Sequence, residues 1–219
     1  MHTLRVAQST IRELNLGTIV TRWLEPPTDV IEFPRVEVLS IRDVTWASHL
    51  RTPGLQHLRL THLRDSPNQD LQPFASATRI TLFGDIFYGE HAALLATMSN
   101  VVSLTVETPQ PLLEPCPGAF LARHSVDRNF FRELAQIYPS IWPRLESIRI
   151  APRGVPARDL DPPPAFYSSD LITFARSRNH TTVVGIEEDV PCRLKEVVVA
   201  DTTAPKWMLA ELQRLLAPL

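Results

Sequence analysis

The sequence predicts an α/β fold in which a curved parallel sheet of about seven strands is covered on its convex side by irregular helices and loops. Three observations lead to this fold class. A short apolar pattern recurs along the chain, its apolar residues alternate as they do in a strand, and helical stretches separate the later copies. Strands that are joined through helices run parallel, because only antiparallel neighbours can be joined by a tight hairpin.

Each copy has an apolar residue, two free positions, a second apolar residue, one free position and a third apolar residue. The first residues of successive copies lie 25, 19, 22, 24, 44 and 49 positions apart, and the first five copies have the spacing typical of a leucine-rich repeat. The seven copies are Ile11/Leu14/Leu16, Val36/Leu39/Ile41, Leu55/Leu58/Leu60, Ala77/Ile80/Leu82, Val101/Leu104/Val106, Leu145/Ile148/Ile150 and Leu194/Val197/Val199.

The second and third apolar residues of a copy point to the same face of a strand, so this face of the sheet is expected to be buried. The opposite face, which we call the wet face, is expected to be exposed to solvent. We therefore predict a leucine-rich-repeat solenoid that spans residues 1–219 as a single domain. The alternative is an ordinary α/β sheet whose regularity is accidental. A doubly wound nucleotide-binding fold would need a glycine-rich first turn, and neither GxGxxG nor GxxxxGK[ST] occurs.

The segments between the copies predict the covering layer. The chain begins in mid-repeat, so we expect either a truncated gene product or an N-terminal partner that covers the first edge.

Two Pro-rich insertions, near 107–124 and 151–167, help to explain the doubled gaps, although a degenerate repeat hidden in 107–144 or 151–193 is an alternative. Short turns are expected at 19–24 and 46–50, and helices at 89–98, 127–138, 168–178 and 204–216, the last of which caps the C-terminal edge.

Composition narrows the classes of partner and compartment. The 22 basic and 24 acidic residues give a net charge of −2, so we expect no nucleic-acid and no membrane partner. Cys116 and Cys192 have no zinc or disulfide spacing and are predicted to be free thiols. No signal peptide and no apolar run of about 18 residues is present, which predicts an intracellular protein, cytoplasmic or nuclear.

The wet face offers the first candidate binding site. Arginines suit carboxylate and phosphate groups because their guanidinium forks bind them bidentately. We therefore predict a surface for an acidic or phosphorylated segment of another protein; the alternative is a solvated face of alternating charge. The candidate residues are Arg42, His57, Arg59, Arg79 and Arg149.

A second candidate site is the rim where the two Pro-rich insertions leave neighbouring strands, since long loops on a solenoid often carry binding. Its aromatic anchors would be Phe120, Phe166 and Tyr167; packing against the helices is the alternative. No GxSxG or HExxH motif occurs, and no histidines have metal-ligand spacing. We expect a non-enzymatic protein with no cofactor, no metal and no catalytic residues.

The units FPRVEVLSI, TPGLQHLRL, MSNVVSLTV, WPRLESIRI and PCRLKEVVV resemble the leucine-rich-repeat half of fungal F-box proteins. The resemblance implies the substrate-recognition half of a ubiquitin-ligase receptor, in which an F-box holds the Skp1 adaptor and the repeats hold the target. No F-box segment precedes the first repeat, so a Skp1-type adaptor is expected only if an F-box lies upstream. A repeat scaffold or regulator, for example of a GTPase, is the alternative; the target and the oligomeric state stay open.

Overall fold

The computed structural model describes residues 9–16, 30–41, 49–61, 74–83, 95–108, 130–136, 141–152, 168–179, 191–200 and 204–217. Seven strands form one parallel sheet, in which the order of the strands follows their order in the chain. They are β1 (Glu13–Leu16), β3 (Val38–Ile41), β5 (His57–Leu60), β6 (Arg79–Phe83), β7 (Ser103–Thr108), β8 (Ser147–Pro152) and β9 (Glu196–Val199). The predicted α/β class and the seven-stranded parallel sheet are confirmed.

A second sheet joins two short strands, β2 (Ile31–Glu32) and β4 (Leu50–Arg51), which also pair in parallel. The apolar pattern did not predict it, because a two-residue strand is too short to show alternation. Ile31 and Leu50 are buried while Glu32 and Arg51 are exposed. This pair therefore adds a second layer of backbone pairing to two neighbouring repeats.

The register of the large sheet aligns the copies of the pattern residue by residue. The second apolar residue of each copy pairs with the second apolar residue of the next, and the third with the third, from Leu14↔Leu39 at one edge to Ile148↔Val197 at the other. Both rows are buried across β1 to β8. Because a slip of one residue would turn every apolar side chain outward, this continuous buried face fixes the register.

A backbone ladder also connects neighbouring copies just before each strand begins. The carbonyl oxygen of Arg12 accepts hydrogen bonds from the N–H groups of Glu37 (2.8 Å) and Val38 (3.1 Å). The same paired acceptance recurs at five more carbonyls: Glu37, Gln56, Thr78, Val102 and Glu146. Each unit is thus bonded to the unit before it and the unit after it.

A turn precedes the strand in four of the repeats, and two of these turns begin with an aromatic-proline pair, Phe33-Pro34 and Trp142-Pro143. The carbonyl oxygen of the first residue of each turn accepts a hydrogen bond from the N–H of the first apolar residue three positions later, as from Leu145 to Trp142 at 2.8 Å. Proline suits the second position of such a turn because its φ is already fixed. The first residues of four such turns are almost fully buried: Phe33, Thr52, Phe74 and Trp142.

Three helices can be given bounds in the described part of the chain: α1 (Phe130–Gln136), α2 (Ser168–Asn179) and α3 (Lys206–Leu216). They match the helices predicted at 127–138, 168–178 and 204–216, of which the first is described only over 130–136. The helix predicted at 89–98 is described only from Leu95 onward. α1 packs on α2, α2 on α3, and α3 on β9, so the last helix lies beside the last strand as predicted.

Two consecutive polar residues at the end of α2 connect these elements. Arg178, 5% exposed, donates to the carbonyl oxygens of Ile141 and Trp142, and burial lowers its pKa to about 10. The Asn179 amide nitrogen donates to the carbonyls of Leu194 (3.1 Å) and Leu215 (2.9 Å). These bonds join α2 to the turns before β8 and β9 and to the C-terminus of α3.

Within the described residues, no helix is long and apolar enough to cross a lipid bilayer. Cys192 is an exposed free thiol. Cys116 and the turn expected at 19–24 lie outside the described residues, as does most of each Pro-rich insertion. Of the turn expected at 46–50, residues 46–48 also lie outside them, and Leu50 belongs to β4 instead.

Candidate functional site

The candidate site is the face of the large sheet that carries the side chains between the buried apolar ones; we call it the open face. Its side chains form two rows, with one residue from each strand in each row. The first row consists of the residues just before the second apolar residue of each copy, and the second row consists of the residues just after it. The first row is Glu13, Val38, His57, Arg79, Ser103, Ser147 and Glu196; the second is Asn15, Ser40, Arg59, Thr81, Thr105, Arg149 and Val198.

His57, Arg59 and Arg79 lie on the adjacent strands β5 and β6, as predicted, and Arg149 lies on β8. The sheet therefore brings four of the five predicted open-face residues onto one surface. Arg42 lies outside the described residues, and so do the three predicted rim residues, Phe120, Phe166 and Tyr167.

Arg59 is already engaged with a carboxylate of the same face. Its Nη1 lies 3.3 Å from Oε1 of Glu13, which means that the side chain reaches diagonally across β3 to the first strand. Both side chains are accessible, at 38% and 62% exposure, so the pair is held in water and is weak. Glu13 was recognised as an open-face position from the pattern, but nothing in the spacing indicated this pairing.

His57 is half-buried and packs beside Thr81. Its Nε2 lies 2.8 Å from Oγ1 of Thr81, which is only 5% exposed. Burial lowers the pKa of His57 below its usual value of 6.5, and the positive charges of Arg59 and Arg79 lower it further, while Glu13 opposes this. His57 is therefore neutral at pH 7 and serves as a hydrogen-bonding group rather than as a cation.

Arg79 and Arg149 are exposed and differ from Arg59 in their surroundings. Neither guanidinium has a hydrogen bond or an ion pair with any of the described residues. Small hydroxyl side chains lie between them: Ser103 and Thr105 on β7, and Ser147 on β8, all half-buried. The apolar pattern alone does not show that these hydroxyls lie between the two arginines, because their positions follow from the register of the strands.

A shallow polar cleft of about 360 Å³ lies away from the open face, beside the turns that precede β3 and β5. Arg12 Nη1 lies 3.5 Å from Glu37 Oε1 there. The cleft was not predicted from the sequence. It is lined by Arg12, Pro34, Arg35, Glu37, Gly54 and Gln56.

Among the described residues, no group of three or more His, Cys, Asp and Glu side chains is placed to hold a metal ion. The open face therefore combines arginine forks, hydroxyls and one neutral imidazole. This chemistry suits the binding of anionic and hydrogen-bonding groups.

Comparison with known proteins does not identify a relative, since no family model, no curated protein and no solved structure matches this chain.

Proposed function

We propose that this chain is a non-enzymatic leucine-rich-repeat module that holds another protein on the open face of its sheet. The observation that carries the proposal is the contrast between the two faces: aligned apolar rows are buried on one, and side chains that are polar apart from Val38 and Val198 line the two open-face rows of the other. A sheet that is covered on one side and polar on the other provides an extended surface of the kind that repeat proteins use for binding.

The strand order supports the solenoid architecture. Connections between parallel strands are nearly always right-handed, so strands that follow one another in one direction place all their connections on the same face. A doubly wound sheet instead reverses its strand order partway and covers both faces. The order here runs in one direction from β1 to β9, which favours a solenoid with a concave open face.

The resemblance to fungal F-box proteins extends this proposal to a cellular role. In that role the chain would be the target-recognition half of a ubiquitin-ligase receptor, acting in the cytoplasm or nucleus. It would reach a Skp1-type adaptor only through an F-box upstream. The support for this role is the turn-and-strand phrase of the repeats, such as WPRLESIRI, whose tryptophan-proline pair forms the turn before β8.

The proposal can be tested by obstructing the open face with bulky side chains. Ser103 and Ser147 are register partners on β7 and β8, so Ser103→Tyr with Ser147→Tyr fills the middle of the face with residues that strands accommodate well. We expect proximity labelling in cells to lose the partners that the unmodified chain captures, while the melting temperature changes little.

The matched control places the same two tyrosines on the exposed side of α3, at Ala210 and Gln213. This variant should retain the captured partners. Equal capture by the two double variants would show that partners do not use the open face and would contradict the proposal.

A further inference from the structure

The open face is electrostatically divided. Toward β1, Glu13 lies against Arg59 at 3.3 Å and opposes its positive charge. Toward β8, Arg79 and Arg149 have no carboxylate partner in the described part of the chain. A negatively charged ligand gains most from guanidinium groups that form no ion pair with a described carboxylate, because each of these exposed arginines can make a new bidentate contact.

The register fixes how far apart these two arginines lie. Arg79 is level with Ser103 and Ser147, whereas Arg149 is level with Thr105 and Thr81. Two strand spacings of about 4.8 Å and an offset of two residues, about 6.6 Å, place their Cα atoms about 12 Å apart. Two long side chains that lean toward each other across β7 can therefore hold two negative groups a few ångströms apart.

An extended peptide presents such a pair of groups. Its side chains at positions i and i+2 point to the same side and lie about 6.6–7 Å apart. Ser103, Thr105 and Ser147 lie beneath the gap between the two arginines, and their hydroxyls can donate hydrogen bonds to the anions or to the peptide carbonyls.

We propose that Arg79 and Arg149 form a two-point clamp for an extended segment of a partner protein that carries negative side chains at alternate positions. The proposal rests on the function proposed above and narrows it to one part of the open face. Arg59 contributes less, because the neighbouring Glu13 carboxylate offsets its positive charge. The negative groups are carboxylates or phosphates, since both present paired oxygen atoms that a guanidinium group can bind bidentately.

Two carboxylates on this part of the face, Glu107 on β7 and Glu196 on β9 level with Ser147, restrict how the segment lies. Glu107 follows the third apolar residue of its copy on β7 and is level with Phe83 and Ala151. It repels negative side chains from that row. The segment therefore crosses β7 over Ser103 and Thr105 rather than beyond Thr105.

The test uses the full chain and three fluorescent seven-residue probes of serine and glycine. The first has glutamate at its third and fifth positions, the second has glutamine there, and the third has phosphoserine there. We expect the glutamine probe to bind at least tenfold more weakly than the better of the two anionic probes. Binding of the anionic probes should also weaken as ionic strength rises. Comparing the glutamate and phosphoserine probes shows which anion the clamp prefers.

Charge-removing variants locate the site. Arg79→Gln and Arg149→Gln should each weaken binding of the preferred anionic probe about three- to tenfold, in keeping with exposed charged contacts. Arg59→Gln should change binding less than twofold. Arg144→Gln is the matched control, because Arg144 is an exposed arginine in the turn before β8, away from the open face, and it too should change binding less than twofold.

Two results would overturn the clamp: equal affinity for the glutamine and anionic probes, or the same loss of affinity from Arg144→Gln as from Arg79→Gln. Failure of the clamp is distinguishable from failure of the proposed function. If the paired tyrosines on the open face abolish partner capture in cells but Arg79→Gln and Arg149→Gln do not affect it, the face binds protein without this clamp.

Discussion

Gly54 occupies the third position of the turn before β5, and its lack of a side chain lets two neighbouring turns approach closely. A Cβ atom built there would lie 3.0 Å from the carbonyl oxygen of Pro34 and 3.7 Å from that of Val36. Both contacts are with backbone of the preceding repeat, which is fixed by its own ladder bonds. Glycine therefore fits this position without strain, whereas a Cβ atom would press on the backbone of the neighbouring turn.

Gly54→Ala should lower the free energy of unfolding by about 1–3 kcal/mol, as overpacking against a fixed group does. Urea unfolding monitored by circular dichroism measures it. Ser76→Ala is the control, because Ser76 is exposed at the equivalent position of the next turn, and it should change the stability by less than about 0.5 kcal/mol. Equal effects of the two substitutions would contradict the close approach of the turns.

Trp142 shows what the sequence could not predict at the scale of single residues. The Trp-Pro pair marked a turn, but Trp142 has a φ of 49°, which a bulky side chain rarely adopts. Tertiary contacts hold it: its indole nitrogen donates to the Leu95 carbonyl at 2.9 Å, and its own carbonyl accepts from Arg178 at 3.1 Å. Such a conformation depends on distant residues, so no local pattern indicates it.

At the scale of elements, α2 and α3 are joined by an exposed cluster around Glu211. Oε1 of Glu211 accepts from Nη2 of Arg176 on α2 at 2.9 Å. Arg214, one turn further along α3, donates to both carboxylate oxygens at 2.8 Å. The hydrogen bonds from Arg214 and then from Arg176 lower the pKa of Glu211 to about 2.

Glu211→Gln should lower the melting temperature at pH 7, and this difference should shrink as the pH falls from about 4.5 to about 2. A carboxylate whose folded-state pKa lies below its unfolded value stabilises the fold above the unfolded value, near pH 4.5, and this contribution is lost as the pH falls toward 2. Thermal unfolding of the two proteins between pH 2 and pH 7 measures the difference. A difference in melting temperature that is independent of pH would contradict the role of the charge.

The strands were predictable because their pattern is local and periodic, as in LQHLRL, where Leu55, Leu58 and Leu60 all become buried. The helices α2 and α3 were also predictable from local sequence, and their bounds lie within two residues of the predicted ones. At the candidate site, the pattern placed Arg59 and Arg79 correctly on the wet face. It did not show that Arg59 pairs with Glu13, because that contact joins residues 46 positions apart.

At the scale of the whole molecule, each strand of the large sheet bonds only to its neighbours in chain order. The stability of such a sheet is expected to be approximately a sum of contributions from units and from contacts between adjacent units. Weakening one end should therefore open that end first and leave distant repeats closed. A doubly wound domain around one shared core would instead unfold as a whole.

Leu212→Ala tests this at the C-terminal edge. Leu212 is buried on α3 at 3% exposure, and its truncation should cost about 2–5 kcal/mol. We expect hydrogen exchange to accelerate at the amides of Glu196 and Ala200, which bond β9 to β8, while the amides of Gln56 and His57 keep their protection. Leu209→Ala is the control, because Leu209 is 37% exposed on the same helix, and it should leave both ends protected. Equal acceleration at β5 and β9 would mean that the repeats unfold as one unit, and that result would count against the solenoid.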